Sequence, residues 1–311
     1  MIKIYTLKDR VKFSSEQIIL FGLLKNYDIF DREEGHNFNF KNESRYKNVI
    51  ETCKQLFVYT DNIKDCDIIV FPYKFNGIQD KTFKILYSLS IKLNKKLYVF
   101  FNDDYDKPII PYNKNIVIYR TSFYKSNRLL NEFSLPAFSP DYFENNYLNT
   151  PTLTIGYCGH KIHGRDYYLN LFLNSKLQTD FIIRKGFWAP GINKNVARKE
   201  YIENINNNLF TFCYRGAGNF SYRFYEVMMM GRIPILIKTD SVFPFEEKYN
   251  LNDVGIVIEE SELLKQKVNL IELIENYYEK NKLHLLDIQK NNRNIWEKYY
   301  STNGFLNNIT I

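Results

Sequence analysis

The sequence predicts an α/β protein of two domains, each a parallel sheet covered by helices on both faces. Three observations point there. Short apolar runs alternate with stretches of helical spacing along the 311-residue chain, as parallel strands and their crossover helices do. Some runs are continuously apolar, as in Asp67–Tyr73 (DIIVFPY), which is how a strand buried on both faces reads. The pattern breaks over Ser139–Thr152 (SPDYFENNYLNTPT), where prolines, asparagines and a lack of period mark a linker. A chain of this length holds two domains of ordinary size, here 1–145 and 146–311.

Taken in order, Ile2–Tyr5 reads as a strand, and Ser14-Ser15 followed by Glu16 opens a helix through Leu24. Asp67–Tyr73 is a strand, Ile78–Leu93 a helix, and Leu97–Phe101 and Ile116–Tyr119 two further strands. Beyond the linker come strand Leu153–Cys158, helix Arg165–Asn174, strand Phe181–Arg184, helix Val196–Asn206 and strand Leu209–Tyr214. Helix Ser221–Met230 leads to strands Ile233–Lys238 and Gly255–Ile258, and two long helices, Glu262–Lys280 and Leu283–Tyr300, close the chain. No internal repeat or low-complexity tract interrupts this order.

Hydrophobic residues make up 45% of the chain and charged residues 25%, a globular composition. The 25 Tyr and 25 Phe sit among abundant Asn, Lys and Ile, a bias that an AT-rich genome produces by itself, so they are not read as base-stacking platforms. With 42 basic and 35 acidic residues the net charge is +7, which suits an anionic ligand or peripheral association with an anionic membrane. The basic residues are scattered and form no arm or stripe, which argues against nucleic acid as a partner. Cys53, Cys66, Cys158 and Cys213 stand at irregular spacings without a CxxC pair, the usage of reduced intracellular thiols. With neither a signal pattern after Met1–Thr6 nor an apolar run of membrane length, the expectation is a soluble cytoplasmic protein.

The most informative segment is Leu209–Leu236 (LFTFCYRGAGNFSYRFYEVMMMGRIPIL). A strand ends at Tyr214, the loop Arg215-Gly216-Ala217-Gly218 follows, and a helix starts near Ser221. Glycines let a backbone approach a ligand, and the free amides of a helix N-terminus favour phosphate. Arg215 and Arg223 flank that point and are suited to a diphosphate. Glu226 lies on the same helix face as Arg223, three residues on, where a carboxylate can accept from both hydroxyls of a ribose. Without a ligand, the same spacing gives an ordinary strand-to-helix turn with an exposed Arg223–Glu226 pair.

This segment resembles the signature of the exostosin-like glycosyltransferases in Arg215-Gly216, Ser221-Tyr222-Arg223-Phe224-Tyr225-Glu226 and Gly231-Arg232-Ile233-Pro234. Val242-Phe243-Pro244-Phe245-Glu246 resembles that family's Leu-Pro-Phe segment, and Ile155–Arg165 (IGYCGHKIHGR) its first donor-domain strand. The likeness covers about half of the chain, in the C-terminal domain; in the N-terminal domain only Asp67–Tyr73 shares it. It implies a GT-B fold: two Rossmann-like domains facing each other across a cleft, with a C-terminal helix packing back across the junction. It also implies inverting transfer from a nucleotide sugar (UDP- or GDP-linked) to a glycan acceptor, in surface polysaccharide or glycan synthesis. No cofactor and no obligatory metal are implied. Glu226 would meet the ribose, and the Arg215 loop and Arg223 the diphosphate. Many eukaryotic members carry a membrane anchor, and its lack here points to a bacterial or viral enzyme.

Other residues fill out the expected site. His160, Lys161 and Arg165 follow a strand at the donor side, where cationic and amide groups can stabilise a leaving diphosphate, or form a plain basic loop. Arg184 ends another strand. Cys158, His160 and His163 form a poor zinc pattern, with no fourth ligand in view. A base for the acceptor hydroxyl is sought in Asn102-Asp103-Asp104-Tyr105-Asp106, with Asp104 first and Asp103 second, since neighbouring carboxylates raise one another's pKa; such clusters are also solvated turns. His36 is a further candidate base, and Trp188 and Trp296 read as packing residues. Two other functions remain open: a non-catalytic glycan- or nucleotide-binding protein of this fold, which would turn over no donor, and a nucleic-acid-binding protein, which would bind with a steep salt dependence.

Overall fold

The computed structural model describes residues 1–11, 18–20, 49–149, 151–186 and 189–309. The chain divides into two compact units, Met1–Pro140 with Ser241–Pro244 and Lys298–Ile311, and Asp141–Asp240 with Phe245–Glu297.

In the first unit β1 (Ile2–Tyr5), α1 (Val49–Leu56), β2 (Phe57–Tyr59), β3 (Ile68–Val70), α2 (Lys81–Lys92), β4 (Lys96–Phe101), β5 (Ile116–Arg120) and β6 (Glu132–Ser134) follow one another. The strands form a six-stranded sheet in the order β2-β1-β3-β4-β5-β6, parallel at every pairing. The apolar runs explain why: every residue of β3 and β5 is buried, so both faces need cover. Phe83 and Leu86 of α2 pack on one face with Ile69, Leu97, Val99 and Ile118. On the other face Phe100 and Tyr119 stack at 5.5 Å. Asp80 starts α2 by accepting hydrogen bonds from the amides of Thr82 and Phe83 at 2.7 and 3.0 Å, an N-cap that satisfies two orphan donors.

The second unit runs β7 (Thr154–His160), α3 (Arg165–Leu173), β8 (Gln178–Arg184), α4 (Lys194–Asn207), β9 (Phe210–Cys213), α5 (Tyr222–Met229), β10 (Ile233–Lys238), β11 (Ile256–Glu259), α6 (Glu260–Leu264), α7 (Leu270–Asn281) and α8 (Leu285–Ile295). Its five strands are again all parallel, in the order β11-β10-β9-β7-β8. Strand residues Ile155, Tyr157, Phe210, Phe212, Ile235 and Ile256 join Phe172 of α3 and Ile274 of α7 in one core. The chain then returns to the first unit with α9 (Thr302–Asn308), whose Phe305 meets Tyr119 edge-on at 5.3 Å and whose Asn303 accepts a hydrogen bond from Thr52 of α1 at 3.0 Å.

The α/β class and the two parallel sheets are therefore as the sequence predicts. Several elements differ. The expected helix Glu262–Lys280 is two helices, because Gln266 adopts a left-handed φ of 54°. There the amides of Gln266 and Lys267 bond to the carbonyls of Leu263 and Glu262, a helix stop usually marked by glycine, and Asn269 caps the restart. The expected helix Leu283–Tyr300 ends as α8 at Ile295 and continues as a π-helical turn over Trp296–Tyr300. The pair α1–β2 and the three-residue strand β6 were not legible. The expected helix Ser14–Leu24 lies outside the described residues except for Ile18–Leu20, a 3₁₀ turn. Among the described residues no helix is long and apolar enough to cross a membrane.

Candidate functional site

The Arg215–Glu226 segment and the strand order together put the candidate site in the second unit. Counted within that unit, the strands stand as 2-1-3-4-5, so β7 and β9 are neighbours. Their crossover connections leave in opposite directions, which opens a crevice at the carboxyl ends of the strands, where doubly wound sheets bind ligands. Those ends deliver His160 from β7 and Arg215 just after β9.

Two arginines are buried around this point. Arg223 of α5 donates to the Cys158 carbonyl at 2.7 Å and lies 4.2 Å from the centroid of the Tyr157 ring, a cation–π distance. Its guanidinium fills the space beside Gly159, where an added Cβ would come within 2.7 Å of a terminal nitrogen. Arg165, the first residue of α3, donates to the His160 carbonyl at 3.3 Å, and burial lowers its guanidinium from the ordinary value. The two side chains are 8% and 9% exposed. Among the described residues neither has a carboxylate partner, and the Nε of each is buried without an acceptor, as is Nδ1 of His160. Arg165 is thus a buried cation held below its ordinary value by burial, which is unfavourable. At Arg223 burial is outweighed by Tyr201, Tyr157, Cys213 and Glu226, which hold its guanidinium above the ordinary value. With no carboxylate among the described residues within ion-pair distance of either, the two can take an anion.

The loop between β9 and α5 lies beside them. Arg215 folds over its own loop, donating to the Ala217 carbonyl at 2.9 Å, and the Gly216 amide closes the loop onto Phe220 at 3.1 Å. Gly216 itself is not sterically demanded, since an added Cβ would meet only Arg165, at 3.6 Å. Gly218 is buried in the same loop. Ser221 stands at the N-cap of α5 without a side-chain capping bond.

Glu226, 5% exposed on α5, does not pair with Arg223. Its Oε2 accepts from the Tyr201 hydroxyl at 2.5 Å and its Oε1 from Arg198 at 3.4 Å. Both partners come from α4, and the Arg198 guanidinium sits 5.2 Å over the Tyr142 ring. Tyr157, Arg198 and Tyr201 were missed in the sequence. They lie on β7 and α4 far from the motif, and only the sheet order brings them to it.

The remaining expected residues separate. Lys161 is exposed. Arg184 is engaged by Glu200 and by the Cys158 sulfur at 3.7 Å. Burial pushes the Cys158 thiol up, away from the thiolate a metal requires; among the described residues no group of three or more His, Cys, Asp or Glu is placed to hold a metal. In the first unit Asp103 and Asp104 follow β4. Partial burial raises the Asp103 carboxyl, but the Tyr105 amide and Lys74, whose ammonium is 3.1 Å away, outweigh it, so its pKa falls rather than rises. Asp104 is exposed, and its carbonyl accepts from Ser122 at 3.1 Å. His36 and Trp188 lie outside the described residues. Trp296 is a packing residue, its ring 4.7 Å from the Arg293 guanidinium.

No family model matches this chain and no curated protein matches it. Among solved structures, TarM is similar, with a TM-score of 0.43 and 11% identity over 77% of this chain and 53% of that one. The chain thus spans about half the length of that neighbour. A likeness this low carries no argument about activity, which rests on the residues.

Chemically, the arrangement offers two buried guanidiniums, a glycine-containing loop at a helix N-terminus and, further along α5, a carboxylate held by two donors. A phosphate matches the first two and a vicinal diol the third.

Proposed function

We propose that this chain is an inverting glycosyltransferase of the exostosin-like kind, with a nucleoside diphosphate sugar bound by the second unit. The buried pair Arg165 and Arg223, each with an Nε that has no acceptor among the described residues, carries this reading. The diphosphate neutralises that pair, the Arg215–Gly218 loop adds backbone amides, and Glu226 receives the ribose hydroxyls. His160, Lys161 and Ser221 border the same crevice, whereas Arg184 is engaged by Glu200. The first unit takes the glycan acceptor.

In the reaction the acceptor oxygen forms a bond to the anomeric carbon as the bond from that carbon to the phosphate oxygen breaks. The electron pair leaves with the diphosphate, where two desolvated guanidiniums stabilise the growing charge. The acceptor proton passes to a carboxylate, for which Asp104 is the better choice because Lys74 and the Tyr105 amide already stabilise Asp103 as the anion.

The test is release of free nucleoside diphosphate from a panel of UDP- and GDP-sugars with oligosaccharide acceptors. One donor should be consumed, and Asp104→Asn should slow turnover by about 10²- to 10⁴-fold, the range for a lost general base, without weakening donor binding. If the nucleotide binds but no donor is consumed, the non-catalytic binding protein takes precedence.

A further inference from the structure

Glu226 is a carboxylate with a defined shortfall. An ionised carboxylate offers about four acceptor positions. Among the described residues two donors reach it, one on each oxygen: the Tyr201 hydroxyl on Oε2 and Arg198 on Oε1. One position on each oxygen is therefore left, which is what the two adjacent hydroxyls of a ribose require.

The two donors are not equivalent. The Tyr201 contact is short at 2.5 Å, and the same ring lies 5.7 Å from the Arg223 guanidinium, so it touches both the carboxylate and a buried cation. The Arg198 contact is longer at 3.4 Å and its side chain is 25% exposed, which lets it yield to an incoming ligand.

Resting on the donor-binding reading above, we propose that Tyr201 is a positioning residue for ribose recognition, fixing Glu226 so that its free acceptor positions meet the 2′- and 3′-hydroxyls, with Arg198 as the movable cover. Burial and the Glu226 charge hold the Tyr201 phenol well above its ordinary pKa, so it stays a proton donor throughout the working pH range. The consequence is selectivity: Tyr201 supports the sugar hydroxyls and leaves the diphosphate contacts alone.

The test compares UDP, GDP and CDP with their 2′,3′-dideoxy counterparts, the deoxynucleotide form that lacks both hydroxyls, by calorimetric titration of the full chain, in the wild type and in Tyr201→Phe. The variant should lose about tenfold in affinity for the ribonucleotide, the loss expected of one hydrogen bond to a charged group, and less than about twofold for the deoxynucleotide. Unchanged binding of the deoxynucleotide doubles as the control that the variant is folded. On a Glu226→Gln background the same substitution should add little, since it acts through the carboxylate. A Tyr201→Phe variant that keeps the wild-type preference for ribonucleotides, or loses affinity for both forms equally, overturns this role while leaving donor binding standing. If no nucleoside diphosphate binds the wild type, the donor reading falls and this role falls with it.

Discussion

Arg223 sits where a single missing methyl group makes room for it. The 2.7 Å gap between its guanidinium and an added Cβ at Gly159 means that Gly159→Ala must move the arginine, and the arginine is the softer of the two partners. Moving it lengthens its contacts to the Cys158 carbonyl and the Tyr157 ring and shifts the cation away from the proposed diphosphate position. Gly159→Ala should therefore fold with a stability loss of about 1–3 kcal/mol, as for modest overpacking, yet bind nucleoside diphosphates about tenfold more weakly. Thermal unfolding beside a nucleotide titration checks both halves. Equal affinity in the variant would place the ligand elsewhere. Arg215, Arg223 and Glu226 were legible in the sequence because they share one short segment. Arg198 and Tyr201 were not, because helix spacing says nothing about which strand a helix will cross.

At the scale of elements, β5 and β6 are joined by a buried ion pair. Arg120 and Glu132, 0% and 1% exposed in their side chains, meet at 2.7 Å. Arg120 also donates to the Tyr105 carbonyl at 2.6 Å, and Glu132 accepts from the Leu129 amide at 2.9 Å. The pair thus fastens the aspartate-bearing loop after β4 to the neighbouring strand, and Thr121 helps by donating to the Asp103 carbonyl at 3.0 Å. Glu132→Ala leaves a buried guanidinium without its counter-charge and should destabilise the protein by about 3–5 kcal/mol, readable as a lower denaturation midpoint. A loss below about 1 kcal/mol would show the pair to be dispensable. The strand was hidden because β6 has only three residues, too few for alternation to show. The break between α6 and α7 was hidden for a related reason. Its left-handed position is held by Gln266 and not by a glycine, so the helical spacing runs on through it. Strands such as β4, β5 and β10 were legible because burial on both faces leaves an unbroken apolar run.

For the whole molecule, both sheets place their second strand outside their first, so each unit has a switch point between its first and third strands. In the second unit the cationic groups gather at that point. The chain does not simply finish one unit before starting the other. It returns to the first at Ser241–Pro244 and again from Lys298, and the four-residue visit is flanked by Asp240 and Phe245, both at left-handed φ, 56° and 55°. Val242 accepts a hydrogen bond from Ser134 of β6 at 2.8 Å, so the visit is anchored by the chain's own hydrogen bonds. None of this path was readable from periodicity, which reports an element's faces but not which sheet a loop joins. The parallel class was readable, because it follows from alternation and from apolar runs alone. The +7 charge suits an anionic ligand at this scale too, and it makes the decisive measurement a binding one. Isothermal titration of UDP, GDP and CDP, without added metal, into the wild type and Arg223→Ala is that measurement. One nucleoside diphosphate should bind the wild type and lose at least about tenfold in affinity in the variant, as expected when a charge-assisted contact is removed; no binding at millimolar ligand, or equal binding to both proteins, would contradict a donor site built on the buried arginines.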